Sequence, residues 1–208
     1  MSIERQLADG LAAMDIVLPQ PAQDSLIAYL RLIEKWNRVH NLTAVREAAQ
    51  MVPLHVLDSL TLLPWLDGKA TLLDVGTGAG LPGIPLAIAR PGLKITLLDS
   101  VHKKTVFLHQ VKSELGLANC EIVCERVEAW APAKKFDVVV SRAFSDLADF
   151  VMQSAHLASA HGELLAMKGV HPFEEISRLP DTHRVTHVAE LKVPTLDAKR
   201  HLVQLKAA

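Results

Sequence analysis

The chain has 208 residues, half of them hydrophobic and 22% charged, with a net charge of −1. A chain of this length buries roughly 70% of its unfolded surface and folds without disulfide or metal staples. The composition excludes disorder as the main state, and the balanced charge excludes a protein whose main task is coating nucleic acid. An enzyme that meets RNA through one local basic patch stays open.

In chain order, the first residues carry Glu4 and Asp9 where a signal peptide needs a basic and then an apolar run, which predicts a cytoplasmic chain. Ile3, Leu7, Leu11 and Met14 recur at helical spacing. After Pro19 and Pro21 a second helical stripe follows, with Leu26, Leu30 and Ile33 in line and Ile27 and Trp36 beside it. NRVHNLT, from Asn37 to Thr43, reads as a helix end and turn. A further helical stretch runs from Met51 to Leu63, entered or kinked at Pro53. The apolar segment 54–66 is broken by His55, Asp58 and Pro64, and no window offers the ~20 clean apolar residues of a membrane helix. The predicted organisation is a helical extension over residues 1–66 and one compact α/β domain over residues 67–208.

Past Ala70 short apolar runs alternate with helical patterns. Strands are predicted over TLLDV (71–75), KITLLDS (94–100), CEIVCE (120–125), FDVVVS (136–141), GELLAMK (162–168), HRVTHVAELKV (183–193) and HLVQLK (201–206). Helices are predicted from Pro82 to Ala89, from Val101 to Leu115 with Gly116 as terminator, and from Asp146 to Ser159. Strands joined by helix-length connections form βαβ units and a mainly parallel sheet. The last two runs are joined by a segment too short for a crossover helix, so they should pair antiparallel. Cys120 and Cys124 would face the same side of a strand about 13 Å apart, too far for a disulfide; they read as reduced core thiols. No metal site is predicted.

The most informative stretch is TLLDVGTGAGLPGIPLAI. A buried strand runs straight into Gly76, Gly78, Gly80 and Gly83 and then into an apolar helix. Glycines there let the backbone turn sharply and approach a ligand closely. The next strand ends on Asp99, the place for a carboxylate that accepts from a ribose diol. Loop and acid together predict a site for an adenosine-containing cofactor. A nicotinamide or flavin dinucleotide fits the G-x-G-x-x-G spacing of residues 78–83. Asp74, two residues before Gly76, opposes a pyrophosphate and suits the cationic amino-acid part of S-adenosylmethionine, directly or through water.

DVGTGAGLPGIPLAI, with WNRVHNLTAVR and HVLDSL upstream and LLDSVHKK, SRAF, MKG and KRHLV downstream, resembles the bacterial 16S rRNA guanine-N7 methyltransferase family (RsmG, also called glucose-inhibited division protein B). The likeness spans roughly residues 15 to 206. It implies a Rossmann-like class I S-adenosylmethionine-dependent methyltransferase that modifies one guanosine, family position 527, in the 530 loop of 16S rRNA. It implies cofactor contacts at Gly76, Leu81, Val127, Glu128 and Arg142, to which the residue reading adds Asp74, Gly78 and Asp99. Ala79 stands where a relative has proline.

Guanine N7 carries a lone pair and no proton, so methylation there needs positioning rather than a general base. Arg142, Lys168 and Arg200 at strand ends, and Asn41 over the mouth of the site, are the positioning candidates. The partner is then 16S rRNA, in the small subunit or an assembly intermediate, met by a monomer away from membranes. The rivals are an NAD(P)-dependent oxidoreductase and a non-enzymatic RNA-binding protein on the same fold.

Overall fold

The computed structural model describes residues 1–208. The N-terminal helices form where the stripes predicted them. Helix α1 (Ile3–Ala13) starts at Ser2, whose hydroxyl accepts from the Arg5 N–H, and α2 (Gln20–His40) ends at Asn41 in the left-handed conformation. The stretch predicted as one helix from Met51 is more irregular. Helix α3 (Ala48–Met51) runs into a π-helical turn (Val52–Leu57) and then α4 (Asp58–Leu60). Pro53 has no N–H to give the ladder, and the widened turn is the local solution.

Seven strands form one sheet: β1 (Thr71–Val75), β2 (Lys94–Leu98), β3 (Cys120–Val123), β4 (Phe136–Ser141), β5 (Ala158–Lys168), β6 (His183–Glu190) and β7 (His201–Ala207). Their order is β3-β2-β1-β4-β5-β7-β6. The first five are mutually parallel, and β7 inserts antiparallel between β5 and β6. Between strands lie α5 (Gly83–Ala89), α6 (His102–Leu115), α7 (Leu147–Ser154) and α8 (Phe173–Ser177). This is the mainly parallel sheet with an antiparallel C-terminal hairpin that the chain order predicts.

Alternate residues of each strand feed two different cores, as the pleat requires. Leu72, Ile95, Leu97, Val138, Val140, Leu165 and Leu202 share one buried cluster with Leu7, Leu26, Tyr29, Leu30, Ile84 and Phe107. Leu73, Val139, Leu164, Ala166, Val203 and Leu205 pack on the other face against Leu147, Phe150 and Val151 of α7. The N-terminal helices therefore share a continuous core with α5, α6 and the sheet. Asp137 fixes the entry to β1, accepting from the N–H groups of Ala70 and Thr71 at 2.9 and 3.0 Å.

Three expectations need correcting. Helix α7 stops at Ser154, not Ser159, because the small polar run after Leu157 offers no apolar stripe and Ala158 instead pairs with Phe136. The strand predicted to Val193 ends at Glu190, where β7 ceases to oppose it. Cys120 is buried, but Cys124 lies one residue beyond β3 and is exposed, so only one of the two is a core thiol. The short α8 had no periodic signal in the sequence.

Tyr29 of α2 reaches across to the loop after β1, donating its buried hydroxyl to the Ala79 carbonyl at 2.7 Å. Burial, helped by the nearby Asp74 charge, holds this phenol well above its ordinary range. Tyr29→Phe leaves that carbonyl unpaired in the core and should cost about 1–3 kcal/mol, read as a lower urea midpoint at unchanged m-value; an unchanged midpoint would contradict the pinning role.

Candidate active site

β1 and β4 are neighbours whose crossovers run to opposite sides, and the crevice opens at their carboxyl ends. β1 ends at Val75, and Gly76 then turns with φ +67°; a Cβ there would stand 2.7 Å from that of Ala143, so this is where the loops after β1 and β4 touch. Both Gly76 and Thr77 donate backbone N–H groups to the Leu98 carbonyl, at 2.8 and 3.1 Å.

Beneath the loop lies Asp74, fully buried. Its Oδ2 accepts from the Thr77 hydroxyl at 2.6 Å and the Gly83 N–H at 2.8 Å. Gly83 is needed there, because a Cβ would meet Asp74 Oδ2 at 2.9 Å and Leu97 Cδ2 at 2.2 Å. Burial pushes the Asp74 carboxyl up to about 6 against those two hydrogen bonds. Asp74 is thus the staple of the loop. Its other oxygen has no partner in the protein.

Asp99 stands at the end of β2. Its Oδ1 accepts from Val101 N–H and its Oδ2 from Gly78 N–H, both at 2.9 Å, and Lys104 Nζ lies 3.3 Å from Oδ2. Oδ1 has only the one donor, which leaves acceptor capacity for a hydroxyl. A cleft of about 290 Å³ opens beside it, lined by Gly76, Asp99, Val101, Val127, Glu128 and Phe144 among others. The walls suit an adenosine: apolar side chains for the base, a carboxylate for the ribose, and glycine backbone close by. Gln153 from α7 and Lys104 from α6 also line it; Lys104 ends the LLDSVHKK motif, whereas no motif in the sequence marks Gln153.

A second cavity, about 150 Å³, lies on the other side of the chain leaving β4. Asp58, Arg142, Lys168, Arg200 and His201 line it. Asp58 Oδ2 lies 3.3 Å from Arg142 Nη1, and Oδ1 lies 3.2 Å from Arg200 Nε. Burial raises the Asp58 carboxyl, while the two guanidinium groups pull the other way. One helical turn earlier His55 Nε2 sits 3.0 Å from Thr43 Oγ1. Burial, with a smaller contribution from Arg142, lowers the His55 imidazole to about 4. Asn37 completes this layer: its amide donates to the carbonyls of Thr43 and Val45, both at 2.9 Å.

All the predicted site residues except Asn41 fall into three groups. Gly76, Asp99, Val127 and Glu128 come together around the larger cleft. Asp74, Gly78 and Leu81 shape its loop without lining it; Leu81 packs into the core, 9% exposed, and Asp74 is covered by the loop it holds. Arg142, Lys168 and Arg200 meet at the smaller cavity, so Arg142 faces Asp58 rather than the larger cleft. Lys168 is already engaged, donating to the carbonyls of Phe144 and Ser145 and paired with Glu175 at 2.6 Å. Asn41 is exposed and accepts from Arg46 at 2.9 Å, lining neither cavity.

The rRNA small subunit methyltransferase G family matches residues 22–203. The chain belongs to this family. It is 55% identical to the ribosomal RNA small subunit methyltransferase G of Laribacter hongkongensis, over 99% of each chain. It is 52% identical to the protein of that name from Chromobacterium violaceum, over 96% of each. In fold it is similar to an S-adenosylmethionine-dependent methyltransferase from Thiobacillus denitrificans solved with S-adenosylhomocysteine, with a TM-score of 0.53 at 13% identity over 93% of this chain and all of that one. The fold is that of the class I methyltransferases and S-adenosylmethionine is the cofactor. No helix is long and apolar enough to cross a membrane.

Asp74 and His55 give opposed pH dependences. Asp74 binds its proton more tightly folded, at about 6, than its ordinary 3.8, so stability falls as pH rises through that window. His55 binds its proton less tightly folded, at about 4, than its ordinary 6.5, so stability falls as pH drops from 6.5 towards 4. Each shift corresponds to about 3 kcal/mol. Relative to the natural chain, Asp74→Asn should lose stability more steeply on acidification from pH 6 to 4, and His55→Gln less steeply, by urea unfolding. Parallel profiles for all three proteins would contradict both assignments.

Proposed function

We propose that this chain transfers a methyl group from S-adenosylmethionine to N7 of one guanosine in the 530 loop of 16S rRNA, family position 527. The family membership supports small-subunit rRNA as substrate. The observation that carries the chemistry is the pairing of two cavities on either side of the chain leaving β4. One is built for an adenosine; the other is lined by arginines and a buried carboxylate.

Bound in the larger cleft, S-adenosylmethionine supplies an electrophilic methyl on a sulfonium. Asp99 would take the ribose hydroxyls, Val101, Val127 and Phe144 the adenine faces, and the backbone at Gly76 the approach to the methionine part. The N7 lone pair forms the new N–C bond as the C–S bond breaks with its electron pair going to sulfur. The products are S-adenosylhomocysteine and a 7-methylguanine carrying the positive charge. No proton moves, so the protein has to align, desolvate and hold. This fits the side chains present: His55 is buried, faces Thr43 and lines neither cavity, while Asp74 and Lys168 are taken up by structural contacts. The chain would work in the cytoplasm on a small subunit or its assembly intermediate, as a monomer, with residues 1–66 as a helical extension of the 67–208 catalytic domain.

The decisive experiment is mapping of 7-methylguanosine in 16S rRNA after incubation of under-methylated small subunits with this protein and labelled cofactor. A single new 7-methylguanosine in the 530 loop is expected; label at another base or atom, or in no RNA, would overturn the reading. Once RNA is bound, the chemical rate should be flat between about pH 6.5 and 9, since no group must ionise for N7 to attack. A single-turnover rate rising tenfold per pH unit would show a required base and contradict the mechanism.

A further inference from the structure

The smaller cavity holds two buried polar atoms that the protein engages only through long ion-pair contacts. Asp58 Oδ1 and Arg142 Nη1 are both buried and neither makes a well-formed hydrogen bond within the protein: Oδ1 meets Arg200 Nε and Nη1 meets Asp58 Oδ2 only as ion pairs. Buried polar atoms are almost always fully hydrogen-bonded, so two held this loosely in one cavity leave capacity for a ligand. Asp58 is 1% exposed. Its contacts with Arg142 and Arg200, at 3.3 and 3.2 Å, are longer than the roughly 2.7–2.9 Å of a well-formed charge-assisted bond. An ionised carboxylate offers about four lone-pair positions, and two arginines use at most two of them.

We infer that Asp58 reads the Watson–Crick edge of the target guanine in this cavity, its carboxylate accepting from N1–H and the N2 amine while Arg142 donates to O6. This rests on the guanine-N7 reading given above and adds to it the basis of base choice. Guanine presents two parallel donors on that edge, matched to the two oxygens of a carboxylate. Adenine presents an acceptor at N1 and would set a lone pair against Asp58. N7 lies on the opposite edge of the purine, left free of the protein. The cavity adjoins the adenosine cleft through the chain itself, Arg142 lining one and Ala143 and Phe144 the other.

The arrangement also gives the N-terminal helices a part in specificity. Asp58 is delivered by the helical segment 48–60, whereas Arg142 follows β4 and Arg200 precedes β7. The π-helical turn lies just before Asp58, and Arg142 Nη2 approaches the Leu54 carbonyl of the same turn at 3.5 Å.

The test compares small subunits, or RNA fragments the enzyme accepts, carrying guanosine or inosine at the target position. Inosine keeps N7, O6 and N1–H and lacks only the N2 amine. With the natural chain, inosine should lower kcat/KM by about ten- to a hundredfold, and should weaken binding of the S-adenosylhomocysteine complex to that RNA in the same direction. In Asp58→Asn, guanosine activity falls and the inosine penalty shrinks to within about threefold, the non-additive result expected of partners in direct contact. If Asp58 merely positions the arginines, the penalty is the same in both proteins, and that result overturns the proposal. So does the absence of any inosine penalty in the natural chain, a measurement that needs no variant and stands if Asp58→Asn fails to fold. Lack of methyl transfer to guanosine by the natural chain is a different outcome, removing the functional reading and this inference with it.

Discussion

One carboxylate oxygen organises the carboxyl end of the parallel strands. Asp74 Oδ2 collects the Thr77 hydroxyl and the Gly83 N–H, so the loop between β1 and α5 closes over it in nine residues. Burial of that group is unfavourable, as its raised proton affinity records. The arrangement persists because the alternative is an unpaired N–H at the start of α5 and a loop free to leave Asp99. Gly76 can then sit against Ala143 and Gly78 can donate to Asp99 beside the larger cleft.

The N-terminal helices are tied into the same device. They bury a continuous core against α5, α6 and one face of the sheet, and two of their polar side chains reach the loops that matter. Tyr29 holds the Ala79 carbonyl from outside the glycine loop, and Asp58 stands between the arginines that follow β4 and precede β7. A segment that reads as a cover for a hydrophobic face therefore also contributes to the walls of the site. The buried Asp58 is unfavourable as a stability device, since replacing such ion groups by apolar residues is often neutral or better; its retention makes sense through what it can contact.

Much of this was legible in the sequence because it rests on local rules. The βαβ alternation, the glycine loop, Asp99 and the antiparallel end follow from periodicity, turn chemistry and loop length. The misreadings came where tertiary pairing overrode weak local signals, as at Ala158, which leaves the helical pattern to pair with Phe136. Asp58 was visible as a polar interruption three residues from His55 and as part of the HVLDSL motif but not as a site residue, since nothing local shows that Arg142 and Arg200, 84 and 142 positions later, converge on it. Gln153 and Tyr29 were missed for the same reason: their roles are created by packing between elements. Arg142 was placed at the right strand end but faces the smaller cavity, a distinction that spacing alone does not carry.

The central claim is that the loop stapled by Asp74 and the acid at the end of β2 form the seat of the cofactor. A crystal structure of the protein with S-adenosylhomocysteine tests it most directly. The account predicts the ribose hydroxyls on Asp99, the adenine between Val101, Val127 and Phe144, and Asp74 still beneath the loop with its bonds to Thr77 and Gly83. A nucleoside bound elsewhere, or a loop that opens and releases Asp74 to hold it, would contradict the account.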